Sequence, residues 1–117
     1  MPKTRQPDIA VRAGRHTGEP VKLRDRCKEA TVTWPRAAIP AGSAYTVRLE
    51  FSYDGGQTWP EHVTGTFNGG DYIGREGQVI DEAMLSRPLP DKGGTVHTRL
   101  IVDANRAFTL APSLEDR

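Results

Sequence analysis

Histidine and cysteine are the side chains of this sequence that most readily hold a metal ion. His16, His62 and His97 lie far apart in the chain, and none stands at metal-ligand spacing from another histidine or from Cys27. The glycine pairs at 69–70 and 93–94 lack the spacing of phosphate-binding loops, and neither opens a strong helix. The spacing therefore predicts no metal site and no cofactor.

Two kinds of residue could carry out acid–base or nucleophilic chemistry. Asp81 and Glu82 are adjacent carboxylates, but at the start of a short helical turn they would complement the helix dipole rather than act as an acid–base pair. No serine lies within a Gly-x-Ser-x-Gly turn, the arrangement that exposes a nucleophile in hydrolases. We predict no catalytic residue and a protein that is not an enzyme.

The stretch FSYDGGQTW, residues 51–59, has the side chains of a tightly bonded turn. A carboxylate such as that of Asp54 accepts hydrogen bonds from backbone N–H groups further along a turn, and the glycines at 55–56 adopt positive φ at little steric cost. Hydroxyl groups can satisfy other backbone groups, and a tryptophan can cover the turn. The positions assigned to this structural hairpin are Ser52, Asp54, Gly56, Thr58 and Trp59.

These residues follow the order Ser-x-Asp-x-Gly-x-Thr-Trp, which resembles the Asp-box of sialidases and other β-rich proteins. The resemblance covers eight of 117 residues and implies a local turn that fixes strand register. In sialidases these boxes lie on the outer turns of propeller blades, away from the catalytic centre, so the resemblance implies no sialidase activity. A direct role of the hairpin in binding sugar stays open as the alternative.

The strands that position this turn follow from alternation of apolar and polar residues. Residues 45–53 alternate over nine positions, which is typical of an antiparallel strand with one buried face. Further strands are predicted at 30–34, 62–67, 95–103 and 106–112, and Gly65 predicts a bulge or a close backbone approach. Residues 81–85 favour a short helical turn. Residues 1–20, repeatedly interrupted by proline and glycine, predict an extended arm.

Charge is unevenly distributed between this arm and the rest of the chain. Residues 1–28 hold eight basic and three acidic residues, whereas the remainder is mildly acidic. The arm of one copy could therefore lie on the body of another, through the candidate assembly residues Lys3, Arg5, Arg12 and Arg15. A merely solvated tail is one alternative, and binding to nucleic acid is another, although few aromatic residues lie among the cations.

Short strands without strong helices predict an all-β fold, a single antiparallel β-sandwich of immunoglobulin-like or jelly-roll-like type. We divide the chain into a basic N-terminal arm, 1–20, and a β-sandwich domain, 21–117. No apolar run approaches the ~20 residues of a membrane helix, and no apolar segment of a secretion signal follows the N-terminus.

Small β-sandwiches of this kind, with few cysteines and an arm, resemble bacteriophage virion proteins such as capsid decoration or head- and tail-associated subunits. The resemblance implies a structural protein that binds copies of itself or other virion proteins, located in the virion and made in the host cytoplasm; otherwise the protein is expected to be cytoplasmic. The alternative is a carbohydrate-binding or host-adhesion module, in which Trp34, Tyr53, Trp59 and Tyr72 would form an exposed aromatic platform.

Overall fold

A computed structural model describes residues 4–6, 8–24, 27–36, 39–69, 72–73, 79–80, 82–90 and 95–116. Within these ranges the regular structure consists of β-strands. The strands are β1 (Thr4–Arg5), β2 (Ile9–Val11), β3 (Gly14–Thr17), β4 (Val21–Lys22), β5 (Glu29–Pro35), β6 (Ala44–Ser52), β7 (Glu61–Asn68), β8 (Tyr72–Ile73), β9 (Val79–Ile80), β10 (Glu82–Pro88), β11 (His97–Ala104), β12 (Phe108–Leu110) and β13 (Ser113–Asp116).

Two antiparallel sheets form the body of the molecule. Sheet 1 has the order β1-β13-β5-β10, and sheet 2 has the order β3-β11-β6-β7, with β4 also paired to β11. Two short pairs, β2 with β12 and β8 with β9, complete the strand pairing. The predicted antiparallel β-sandwich is confirmed. Within the described residues, no helix is long and apolar enough to cross a membrane.

The core lies between the inner faces of the two sheets. Along β6 the alternation predicted from the sequence places Tyr45, Val47, Leu49 and Phe51 in the core, each at most 2% exposed. Trp34 of β5 joins the sheets, because its Nε1 donates a hydrogen bond to the Tyr45 hydroxyl at 2.9 Å. This bond satisfies the buried indole N–H while the ring contributes its large apolar surface.

Gly65 on β7 leaves space for a neighbouring aromatic ring. A Cβ atom at this position would lie 2.8 Å from the ring of Phe67 and 3.2 Å from Leu85 of β10. The Phe67 ring lies edge-on to Trp34 at 4.9 Å and stacks on Tyr45 at 5.6 Å. Pairing of β6 with β7 continues through this position, so the predicted bulge does not form. The three atoms nearest to the glycine belong to the side chains of Phe67 and Leu85 and not to the backbone, so the predicted close approach of another backbone is also not observed.

The helical turn predicted at 81–85 is wrong for the described residues, since 82–88 form strand β10. This strand pairs with β5 over its full length, and the pairing sets Ala83 opposite Trp34 and Leu85 opposite Val32. Local helix propensity is a weak preference that burial of alternate side chains overrides. Glu82 therefore does not lie at the start of a helix and is exposed on an edge strand, while Asp81 lies outside the described residues.

The separate arm predicted at 1–20 needs correction for the residues that the structure describes. Strands β1, β2 and β3 pair with β13, β12 and β11 of the same chain. Val11, only 2% exposed, belongs to the core, and Ile9 packs against it. Proline and glycine divide this segment into short strands, and each of these strands pairs with a strand of residues 97–116, so the segment belongs to the folded domain.

Candidate functional site

The hairpin between β6 and β7 is organised by the carboxylate of Asp54. Its Oδ1 accepts the backbone N–H groups of Gln57 at 3.1 Å and Thr58 at 2.9 Å, and also the Ser52 hydroxyl at 2.7 Å. Its Oδ2 accepts the Thr58 hydroxyl at 2.5 Å. The Ser52 Oγ in turn accepts the N–H of Gly56 at 2.8 Å. These bonds, led by that of the Thr58 hydroxyl, lower the pKa of Asp54 well below its ordinary value.

Gly55 and Gly56 give the hairpin its sharp bend, with φ angles of 80° and 94°. A Cβ at Gly56 would lie 3.7 Å from the Trp59 ring, so that ring is adjacent to the glycine. Trp59 is half-buried, and the guanidinium carbon of Arg99 lies 4.2 Å from its ring centroid. The tryptophan thus joins the hairpin to an arginine on the outer face of sheet 2.

A buried carboxylate lies beside this arginine. Glu50 of β6 points to the outer face of sheet 2, yet it is only 5% exposed. Its Oε1 accepts Nε of Arg99 at 2.8 Å, and its Oε2 accepts Nε of Arg48 at 2.8 Å. Arg48 precedes Glu50 by two residues on the same strand, and Arg99 lies opposite Glu50 on β11. Side chains two apart on a strand lie on the same face, so Arg48 and Glu50 are neighbours on β6. The register between β6 and β11 adds Arg99 to this pair.

Burial by itself would raise the pKa of Glu50, because it disfavours the charged form. The hydrogen bonds and charges of Arg99 and Arg48 outweigh burial and lower this pKa. Glu50 is therefore a carboxylate at neutral pH, and it fixes the position of both guanidinium groups. Each arginine donates to Glu50 through Nε, and among the described residues the Nη groups have no hydrogen-bond partner. The side chains of Arg48 and Arg99 are 34% and 28% exposed.

Among the described side chains, acids outnumber cations on the outer face of sheet 1, and cations outnumber acids on the outer face of sheet 2. Strand register places four cationic and two acidic side chains on sheet 2, and these are Arg15, Lys22, Arg48, Arg99, Glu50 and Asp103. On the outer face of sheet 1 the described side chains include three acids and no cation, and the acids are Glu29, Glu82 and Glu115. Arg87 of β10 and Asp116 of β13 are in register with Ala30 of the inner face. Arg5 of β1 pairs with Ser113 at the margin of sheet 1, and only its backbone is described.

The predicted assembly residues lie in different places. Arg15 is exposed on β3 opposite Asp103, and Arg12 is exposed between β2 and β3. Only the backbone of Arg5 is described, and Lys3 lies outside the described residues. The structure thus places Arg15 on the outer face of sheet 2 and Arg12 in the connection between β2 and β3.

A cavity of about 300 Å³ opens between the sheets on the side of β3 and β4. Its walls are mainly apolar and include Ile9, Val32, Leu49 and Leu114. Gln6, Asp8 and His16 of the N-terminal segment also line it. The segment therefore forms part of the wall between the sheets.

The aromatic platform expected for sugar binding is not assembled. Trp34 is 0% exposed in the core, and the Tyr53 hydroxyl donates to Glu61 at 2.6 Å. Tyr53 and Trp59 are both half-buried, and the side chain of Tyr72 lies outside the described part of the structure. Among the described residues, no group of three or more His, Cys, Asp and Glu side chains is placed to hold a metal ion.

Sequence reasoning singled out the hairpin but missed Arg48, Glu50 and Arg99. Arg48 and Glu50 occupy the polar positions of the clearest strand, and this alternation was the available signal. Arg99 could not be added from the sequence, because its position opposite Glu50 depends on the pairing of β6 with β11, which are separated by more than forty residues.

No protein-family model and no curated protein matches the sequence. Three solved structures show weak likeness. One is a carbohydrate-binding module from Cellvibrio mixtus lichenase 5A in complex with cellotriose, with 15% identity and a TM-score of 0.46, covering 98% of this chain and 87% of that one. Another is a family GH115 4-O-methyl-α-glucuronidase, with 18% identity and a TM-score of 0.45, covering 94% of this chain and 14% of that one.

The third is the empty particle of cowpea mosaic virus, with 12% identity and a TM-score of 0.38, covering 86% of this chain and 56% of that one. At such low identity these likenesses concern the fold alone.

Proposed function

We propose that the protein is a non-enzymatic structural subunit that associates with copies of itself through the outer faces of its two sheets. The opposite charge of these faces is the observation that carries the proposal. Contact between unlike faces is heterologous, so it builds rings or filaments rather than closed two-fold dimers. Such geometry suits a component of a larger particle, and a bacteriophage virion is the particle we propose.

Charge reversal on one face at a time tests this association. Variant X carries Arg15→Glu and Lys22→Glu on sheet 2, and variant Y carries Glu82→Lys and Glu115→Lys on sheet 1. Each variant alone then has faces of like charge, so we expect both to be monomers in sedimentation velocity experiments. In a mixture, each contact between X and Y joins an acidic face to a basic face. We therefore expect the mixture to assemble as the unmodified protein does.

The salt dependence of assembly provides the control. Exposed charges interact within a Debye length of about 8 Å at physiological ionic strength, so association should weaken as salt rises. A protein that stays monomeric at high concentration and low salt would contradict the proposal. So would a mixture of X and Y that remains monomeric while the unmodified protein assembles. Co-purification of the tagged subunit with particles tests the proposed virion location.

One observation favours the carbohydrate-binding alternative. Trp59 is half-exposed beside the guanidinium group of Arg99, an arrangement that suits a sugar ring bearing an acidic group. Under this alternative Trp59→Ala abolishes binding on a glycan array while the variant stays folded. Under the assembly proposal no saccharide is retained by the unmodified protein.

A further inference from the structure

The cavity between the two sheets is larger than the voids that ordinary packing leaves. Its volume is about 300 Å³, whereas protein interiors contain few voids larger than a water molecule. An apolar cavity of about 150 Å³ is sufficient to bind benzene. The cavity of this protein therefore has room for an apolar molecule of about two rings.

Two backbone hydrogen bonds hold the segments that border the cavity. On the side of sheet 1, the N–H of Gln6 donates to the carbonyl oxygen of Pro112 at 3.0 Å. On the side of sheet 2, the N–H of Gly18 donates to the carbonyl oxygen of Leu100 at 2.8 Å. All four residues line the cavity. Its walls are therefore fixed in place without a ligand, as is typical of small-molecule sites.

His16 contributes a polar group to these apolar walls. Strand register places it opposite Val102, whose side chain is 0% exposed in the core, so the imidazole lies on the inner side of β3. His16 lines the cavity and makes no hydrogen bond within the described part of the chain. A neutral imidazole has one donor and one acceptor. It can therefore bind a hydroxyl group of a molecule in the cavity.

Charged groups lie at the border of the cavity rather than within it. Asp8 and Glu19 are lining residues that are exposed to solvent. Arg99 is the one arginine or lysine among the described lining residues, and its guanidinium group pairs with Glu50 on the outer face of sheet 2. An anion in the apolar interior would lack a counter-charge, which is strongly unfavourable. The walls therefore favour an uncharged ligand.

We propose that this cavity is a binding site for an uncharged, largely apolar small molecule with one hydroxyl group, and that His16 binds the hydroxyl. The volume, the apolar walls and the single inward-facing polar side chain match the properties of small-molecule sites. The cavity lies between the sheets, so its occupation does not require the outer faces to contact another copy.

Isothermal titration calorimetry with 2-naphthol tests the site, and 2-naphthoate serves as the matched anion. We expect saturable binding of 2-naphthol and an affinity for 2-naphthoate that is about tenfold or more weaker, because the carboxylate must lose its hydration. Amide chemical shifts measured by nuclear magnetic resonance locate the bound probe. We expect 2-naphthol to shift the amides of His16, Leu49 and Leu100 and to leave that of Asp54 unchanged.

A pair of valine variants tests whether the probe occupies this cavity. Val21 and Val63 are both partly buried against the core, but only Val21 is among the lining residues. Val21→Phe places a ring in the cavity, so we expect it to weaken binding of 2-naphthol about tenfold or more. Val63→Phe is the control and should leave the affinity unchanged. Circular dichroism melts establish that the variants are folded.

His16→Leu tests the polar contact. It keeps an apolar wall but removes the hydrogen bond, so the affinity for 2-naphthol should fall about fivefold. An affinity that is unchanged in this variant would overturn the role of His16. No saturable binding by the unmodified protein, undiminished binding by Val21→Phe, or chemical shift changes confined to the outer faces would overturn the site. These results are separate from the sedimentation experiments, so the site and the proposed assembly can fail independently.

Discussion

At the scale of single residues, Asp54 and Glu50 show two ways of using a carboxylate on a strand and its turn. Asp54 is exposed and accepts local hydrogen bonds that close the hairpin. Glu50 is buried and holds two arginines from different strands. The first stabilises the local chain, whereas the second positions groups that face outward. Trp59 connects them, because its ring lies next to Gly56 and under Arg99.

Asp54→Asn should lower the melting temperature at neutral pH, because the neutral amide is a weaker acceptor for the two backbone N–H groups and the Thr58 hydroxyl. The folded-state pKa of Asp54 lies below its unfolded value, so its stabilising contribution is present above about pH 4 and declines as pH falls further. Thermal melts from pH 7 to pH 2 should therefore show the difference between the two proteins narrowing with acid. A difference that grows in acid would contradict the hydrogen-bonded role of the carboxylate.

At the scale of elements, pairing between strands decides whether a segment with helix-forming residues becomes a helix or a strand. Residues 82–88 have helix-forming side chains but become β10, since β5 offers a register that buries Ala83 and Leu85. The neighbouring strand β7 lies beside β10 at this margin of the sandwich, and Gly65 permits their approach. The close packing of Phe67 against Trp34 and Tyr45 depends on that glycine.

Gly65→Ala should reduce the free energy of unfolding by about 1–3 kcal/mol, the usual cost of forcing an extra carbon into a packed core. The Phe67 ring is the nearest neighbour, and it is held by two other aromatic rings, so it cannot move away freely. Urea denaturation measures the change. Thr66→Ala, exposed on the opposite face of the same strand, is the control and should change stability by less than about 0.5 kcal/mol. Equal stability of Gly65→Ala and the parent protein would rule out the close approach.

At the scale of the whole molecule, the docking of the N-terminal segment affects the charge of the outer face of sheet 2. The segment folds onto the sandwich and brings Arg15 to the margin of sheet 2, where Lys22 of β4 also lies. Both side chains contribute positive charge to the outer face of sheet 2. In the proposed assembly this face contacts the acidic face of another copy.

Removal of residues 1–20 should destabilise the domain, because it removes β1, β2 and β3 together with the buried side chain of Val11. Burial of one such side chain contributes about 1.5–3 kcal/mol, and the loss of three strand pairings adds to this. We expect the melting temperature to fall by more than about 10 °C. Differential scanning calorimetry of the truncated and full-length proteins measures the effect. A truncated protein that melts at the original temperature would restore the interpretation of the segment as a separate arm.

The sequence by itself determined the β-sandwich class, the strands around β5, β6, β7 and β11, and the bonded turn at Asp54. These features are local, since alternation and turn chemistry act over a few residues. Only the tertiary structure decided the strand character of β10, the docking of the N-terminal segment and the meeting of Arg48, Glu50 and Arg99. Each of these depends on which distant strand becomes the neighbour, and the choice is set by burial in the common core, which no local pattern encodes.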